Sequence, residues 1–326
     1  MDNLILVDGN SIGYAAHSAR ELNHNGQQVQ AIFFSLKMIR NAFEYANTKG
    51  HFPNICVLWD SRAKWRYDLY PEYKGKRDDT PEKRESRAQY KQQQPHIRRG
   101  LSLLGIPQAF AKGEEADDLA ASIVHNRAPG QKILLVSGDQ DWLQLVTDGV
   151  DWYDPREEGR HVSKATFQQF TGFKSPVGFI QAKAIKGDSS DNIKGVEGLG
   201  DKAIAGLFEA YGSAVKFFGW ADAYMAGSSG PSNQFEKGAL PASLSRFKSK
   251  LERFVWGEGM TEFKRNMQLM NLMSPRHRST EIIDKQVQLA PSYNETGFVD
   301  FCHEFAFLSL VKSAHTWKTT FCKEAA

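Results

Sequence analysis

Three short apolar runs punctuate the first half of the chain, and each ends on aspartate. "NLILVDGNS" runs into Asp8, "ICVLWDS" into Asp60, and "KILLVSGDQD" into Asp139 and Asp141. Unbroken apolar runs of this length predict strands buried on both faces. Between them the apolar positions follow helical spacing: residues 30–46, residues 95–104 through Ile97, Leu101 and Leu104, and residues 116–126 through Ala116, Leu119, Ala120, Ile123 and Val124. Strands alternating with helices predict an α/β fold, a mostly parallel sheet covered on both faces. Such sheets bind ligands beyond the carboxyl ends of their strands, where these aspartates would gather.

The pattern then changes. "DWYDPREEGRHVS" predicts a strand and a turn, and from residue 175 the periodicity is helical throughout. Pro176 opens a helix with Val177, Ile180 and Ala184 on one face, and Gly187 closes it. A second helix runs to about Tyr211, "AGSSGPSN" at 226–233 reads as a loop, and 243–255 and 261–273 read as amphipathic helices. A last helix is expected over 297–311, with Phe298, Phe301, Cys302, Phe305 and Leu308 in register. The expected division is residues 1–174 for the sheet domain and 175–326 for the helical region.

The stretch "GEEADDLAAS" at 113–122 crowds carboxylates into the first turn of the 116–126 helix. One or two acids there would cap the helix and suit its dipole. Glu115, Asp117 and Asp118 together, facing strand-end acids from elsewhere, would repel. A hard divalent cation held by oxygen ligands, Mg²⁺ or Mn²⁺, removes that difficulty.

Composition changes the picture only in places. At 41% hydrophobic residues over 326 positions the chain can bury a large core. No run approaches the roughly 18 apolar residues of a membrane span, and no basic-flanked leader opens the chain. The scattered cysteines Cys56, Cys302 and Cys322 suit a reducing compartment rather than disulfides. A net charge of +3 decides little, but residues 62–99 are dense in lysine and arginine with Tyr67, Tyr70, Tyr73 and Tyr90 interleaved. Basic runs are most often solvated faces; mixed with rings they also suit phosphates and bases.

"GVEGLGDK" approaches a phosphate-binding P-loop, yet Asp201 stands where that loop needs lysine, and a helix precedes it. Gly195, Gly198 and Gly200 between two helices, with Lys183, Lys186, Lys194 and Lys202 around them, instead fit a helix–hairpin–helix that meets a nucleic-acid backbone through its N–H groups.

In order along the chain, "VDGN", "WDSRAKWR", "PEYKGKR", "GEEADD", "SGDQDWLQLV" and "KGDSSDNIKGVEGLGDKA" resemble the 5′-nucleases, the flap endonucleases and 5′→3′ exonucleases of bacteria and bacteriophages that also form the N-terminal domain of bacterial DNA polymerase I. The likeness runs over about residues 4–215. It implies a PIN-like nuclease domain with a helical arch at about 75–95, followed by a helix–hairpin–helix. It implies two divalent ions, Mg²⁺ or Mn²⁺, with Asp8, Asp60, Glu115, Asp117 and Asp118 around one and Asp139, Asp141, Asp188 and Asp191 around the other. Glu114 lies outside the pattern.

By the same resemblance Lys74 and Arg77 reach the scissile phosphate, and Tyr73 stacks on a nucleobase. Lys183, Lys202 and the hairpin glycines hold duplex DNA, with a potassium ion at the hairpin. The implied activity is hydrolysis of phosphodiesters in 5′ flaps, nicked or 5′-ended duplexes and RNA primers on DNA, by a monomer in the cytoplasm of a bacterium or phage-infected host. A single-strand-binding protein or sliding clamp is the implied protein partner. A PIN-type endoribonuclease would share the acids without needing arch or hairpin, and a non-catalytic DNA-binding relative would have lost some of them. Two positions depart from the family: Ala15 where many relatives carry arginine, and Glu197 where many bacterial members carry proline.

Overall fold

The computed structural model describes residues 2–77, 79–157, 160–228 and 233–321. The chain forms two compact units: Met1–Lys64 with Asp78–Thr166 and Pro275–Ala326, and Trp65–Arg77 with Phe167–Ser274. The expected division at 174/175 is therefore crossed twice. Residues 65–77 belong with the helical unit, and the chain returns to the sheet unit after Ser274.

The first unit is built on a seven-stranded sheet. Its strands are β1 (Leu4–Asp8), β2 (Asn54–Leu58), β3 (Gln108–Ala111), β4 (Ile133–Val136), β5 (Val150–Tyr153), β6 (His161–Val162) and β7 (Gln286–Leu289), in the order β7-β3-β2-β1-β4-β5-β6. The five central strands are parallel, and β6 and β7 close the edges antiparallel. The expected α/β sheet is present. Ile5, Leu6 and Val7 are fully buried, as a strand covered on both faces requires. Val7 pairs with Val57 on one side and Val136 on the other, so the three acid-bearing strands end side by side.

Helices α1 (Gly9–His17), α2 (Gln30–Lys49), α3 (Pro81–Leu103) and α4 (Ala116–His125) cover the sheet. Across the expected helical arch at 75–95 and the helix expected at 95–104, one continuous helix runs from Pro81 to Leu103, capped by the Thr80 side chain. Its first two turns are exposed, but Tyr90 and Gln93 are buried, the Tyr90 ring packed at a tilt against Tyr14 of α1. The expected helix at 297–311 is two pieces, Glu295–Glu304 and Leu308–Val311, parted at Ala306 with φ 56°. The break lets Phe305 and Phe307 both turn into the core; two residues apart on one helix, they would point to opposite sides.

The second unit is mostly helical: α5 (Pro176–Lys186), α6 (Asp201–Tyr211), α7 (Ala214–Gly227), α8 (Lys248–Trp256) and α9 (Glu258–Met270), packed around Ile185, Leu207, Phe217 and Phe254. Between α5 and α6, after the helix end expected at Gly187, lies a two-stranded antiparallel ribbon, Gly187–Asp188 with Ile193–Lys194. Gly187 has φ 81°, and a Cβ there would meet the Gly195 backbone.

Candidate metal and nucleic-acid site

In the sheet unit the acids are set by their own backbone. Asp8 ends β1 and caps α1, accepting from Ser11 N at 2.9 Å and from the Ser137 hydroxyl at 2.8 Å. Ser137 in turn accepts from Asp139 N at 2.9 Å, so one buried hydroxyl ties the ends of β1 and β4 together. Asp60 accepts from Ala116 N at 2.9 Å and thereby draws the start of α4 to the end of β2. Asp139 caps the short 3₁₀ turn Gln140–Leu145, and Trp142 in that turn donates its indole N–H to Asp117 at 2.6 Å.

Electrostatics record how close these groups stand. Burial, then the charge of Asp60, pushes the Asp8 carboxyl up from 3.8 to about 7; Ser11 N–H opposes the rise and Asp139 adds to it. Asp117 is raised well above the usual carboxylate range, first by burial and then by Asp139, Asp8, Asp60 and Glu115. As placed, however, no three His, Cys, Asp or Glu side chains among the described residues stand in a metal-holding group. The carboxylates accept hydrogen bonds from donors of their own. The all-oxygen donor set and the unrelieved repulsion at Asp8 and Asp117 still fit a hard divalent cation.

Asp118 differs from its neighbours. It is fully buried, with Oδ2 accepting from Glu115 N at 3.0 Å and Oδ1 hydrogen-bonded to His277 Nε2 at 2.9 Å. Glu114 is buried in an ion pair with Arg276 and lies 3.3 Å from Lys285 Nζ.

In the helical unit, Asp188 and Asp191 each have a protein cation. Lys183 Nζ is 2.9 Å from Asp188, and this charge together with the Ser190 hydrogen bonds overcomes burial to hold that carboxyl down at about 2. Arg77 pairs with Asp191 Oδ1, Tyr73 OH donates to Asp191 Oδ2 at 3.0 Å, and Lys74 N donates to its carbonyl at 2.8 Å. The charges of these two expected ligands are thus met inside the unit. Tyr73 is 3% exposed and packs edge-on against Tyr67, so it offers no face to a nucleobase. Lys74, the proposed phosphate contact, has φ 58° and lies over the Tyr73 ring.

The hairpin glycines divide. A Cβ on Gly195 would collide with the Lys186 carbonyl, so this glycine closes the ribbon rather than clearing room for phosphate. Gly198 has φ 79° and carries the Lys250 side chain against it. Gly200 caps α6 with open space around it, and Lys202 on the first turn is exposed. Parts of the basic run at 62–99 also turn inward: Arg66 is buried and donates to Leu269 O, Arg98 lies over Trp59, and Arg99 pairs with Glu304. Ser11, Ser137, Trp142 and His277 were missing from the sequence reading; only the short "DGNS" and "VSGD" turns hinted at the two serines. Cys56 and Cys302 are buried and unbridged, and Cys322 lies outside the described residues. No helix among the described residues is long and apolar enough to cross a membrane.

The sheet unit, with acids at adjacent strand ends, and the helical unit, with its glycine-capped hairpin helix, define a class of nuclease folds. Residues 3–172 match the 5′-3′ exonuclease N-terminal resolvase-like domain, and the chain belongs to that family. It is 31% identical over 214 residues to the thermostable DNA polymerase I of Thermus caldophilus and 32% identical over 221 residues to DNA polymerase I of Mycobacterium bovis. Each match takes in 64% of this chain but only 24% and 23% of the relative, so the chain spans about a quarter of these proteins. The fold is similar to bacteriophage T5 flap endonuclease, solved with DNA and metal ions, at a TM-score of 0.61 and 21% identity over 98% of this chain and 100% of that one. It is also similar to the catalytic core of Rad2 with DNA substrate, at 0.58 and 16% over 95% and 92%.

Proposed function

We propose that the chain is a structure-specific 5′ nuclease that hydrolyses phosphodiesters in DNA flaps, nicked or 5′-ended duplexes and RNA primers on DNA, with Mg²⁺ or Mn²⁺ as cofactor. The observation that carries this reading is the pair of raised carboxyls, Asp8 at about 7 and Asp117 well above its usual range, each pushed by neighbouring acids as well as by burial. Acids so placed are costly at neutral pH without a cation.

Asp8, Asp60, Glu115, Asp117, Asp139 and Asp141 are the residues that would hold two ions. Bound divalent ions supply Lewis acidity at the phosphate and a water acidic enough to act as nucleophile near neutral pH. This chain's own part is to orient and to hold. Ser11 and Ser137 fix Asp8, Trp142 fixes Asp117, and the Asp139 cap fixes the turn that carries Asp141. In the helical unit Asp191 holds the Lys74 backbone N–H and the Arg77 guanidinium, and the Lys74 ammonium suits phosphate oxygens. The α6 N-terminus at Gly200 and the exposed Lys202 offer a backbone-phosphate contact that reads no sequence.

The test is Asp139→Asn combined with Asp141→Asn, assayed on 5′-labelled flap, nicked and RNA–DNA substrates. Cleavage should vanish while flap-DNA affinity stays within about twofold, since neither residue belongs to the hairpin contacts. Full cleavage by the double variant would refute the assignment.

A further inference from the structure

Two adjacent acids, Asp117 and Asp118, look equivalent in the sequence and are not equivalent in the fold. Neighbours on a helix lie about 100° apart, so they cannot serve one side together. Asp117 meets Trp142, whereas Asp118 turns to the segment at 275–285, which returns to the sheet unit from more than 150 residues away in sequence. The contact there is extended. Ser122 Oγ and Asn126 Nδ2, one and two turns beyond Asp118, both donate to the Ser279 carbonyl at 3.4 Å. Lys285 accepts on its carbonyl from Lys112 N at 3.2 Å and reaches Glu114 with its ammonium.

We propose that His277 and Arg276 form a clamp that positions the acidic loop, acting through Asp118 on Glu115. The link is short and specific. His277, 3% exposed, holds one oxygen of Asp118; the other oxygen holds Glu115 N, and the Glu115 carboxylate accepts from the Asp118 backbone. The two acids are thus reciprocally capped, and moving Asp118 moves Glu115. Arg276 braces the same loop from the side, paired with Glu114 and 3.5 Å from Asp118 Oδ1. Asp118 and His277 are positioning residues. His277 and Arg276 lie outside residues 3–172, the span that matches the family, while Glu115 and Asp118 lie inside it.

This inference rests on the metal-dependent reading above, and its test separates the two. Mn²⁺ binding to the full chain is measured by calorimetry, together with flap-DNA binding in chelator and melting in chelator. His277→Leu should weaken Mn²⁺ binding about tenfold or more, as loss of an outer partner of a ligand typically does. DNA binding should stay unchanged, and His277→Gln, which keeps a donor, should recover most of the loss. If His277→Leu does not fold, Arg276→Met reads the same link and should weaken Mn²⁺ binding in the same direction. A folded His277→Leu or Arg276→Met variant that binds Mn²⁺ as the native chain does would overturn the clamp, even if its melting temperature in chelator fell. Failure of the native chain to bind Mn²⁺ would instead overturn the functional reading.

Discussion

The indole N–H of Trp142 donates to Asp117 Oδ1 at 2.6 Å, and Trp142 itself is wholly buried. The 3₁₀ turn that begins at Asp139 therefore carries both an acid and the donor that orients an acid of α4. Removing the donor leaves a half-buried carboxylate, already raised by burial and its neighbours, with less to favour its ionised form. Trp142→Phe should lower cleavage about 10- to 100-fold at fixed Mg²⁺, the usual penalty for losing such a partner. Raising the Mg²⁺ concentration should recover part of it. Single-turnover cleavage of a 5′ flap across a Mg²⁺ series checks this, and an unchanged rate would show that Trp142 only fills space.

The Asp8 carboxyl gives the metal-free chain a pH signature. Its folded value is about 7 against 3.8 ordinarily, so folding favours the neutral form. The stability it contributes is fully present below about pH 4 and is lost as pH rises through 7. Asp117 is raised too and acts with the same sign. Asp8→Asn keeps an α1 cap and removes the charge. In chelator it should stabilise the fold by about 2–4 kcal/mol at pH 8 and by little at pH 4. Melting curves at both pH values decide it; a gain of equal size at each would rule out the charge as the cause.

Gly195 tests the ribbon. A Cβ there meets the Lys186 carbonyl, a backbone atom that cannot swing aside. Gly195→Ala should destabilise the fold by about 1–3 kcal/mol and weaken duplex binding, because Lys194 and the α6 N-terminus are placed by the same ribbon. Denaturant melts and flap-DNA titration check the two effects. A variant as stable as the native chain would mean the ribbon has slack.

The sheet and its acid tips were legible because continuous apolar runs and terminal aspartates are local signals. Strands β3 and β7 were not, since Gln108, Gln286 and Gln288 dilute the apolar pattern. Gln108 is a core residue only because Trp59, Arg98 and Ser102 satisfy its amide. The unlike fates of Asp117 and Asp118 depend on His277, 159 residues from Asp118 and invisible to any spacing rule. Motif order likewise says nothing of Lys183 and Arg77, which meet Asp188 and Asp191 in space. Basic residues read as a surface for the same reason: Arg66 and Arg98 stack on Trp65 and Trp59, contacts that composition cannot express.

Glu197 shows how this chain accommodates an acid in its hairpin. Arg253 Nη2 lies 2.9 Å from its carboxylate, which holds that carboxyl below its usual range, with Lys250 adding to the effect. Both partners are exposed, so the pair contributes little to stability. Its consequence falls on binding, because a guanidinium beside a carboxylate is less available to phosphate. Glu197→Gln keeps the side chain's size, removes one negative charge near the Gly198–Gly200 turn and leaves Arg253 only its longer 3.7 Å pair with Glu258. Flap-DNA affinity should rise about two- to fivefold at low salt, and the slope of log affinity against log salt should steepen by about one phosphate contact. Arg253→Ala should shift both in the opposite direction in a native Glu197 background. Fluorescence anisotropy in Ca²⁺ over a salt series measures affinity and slope together. Identical slopes for the native chain and Glu197→Gln would place the 197–253 pair outside the DNA contact, leaving the grip to Gly200 and Lys202.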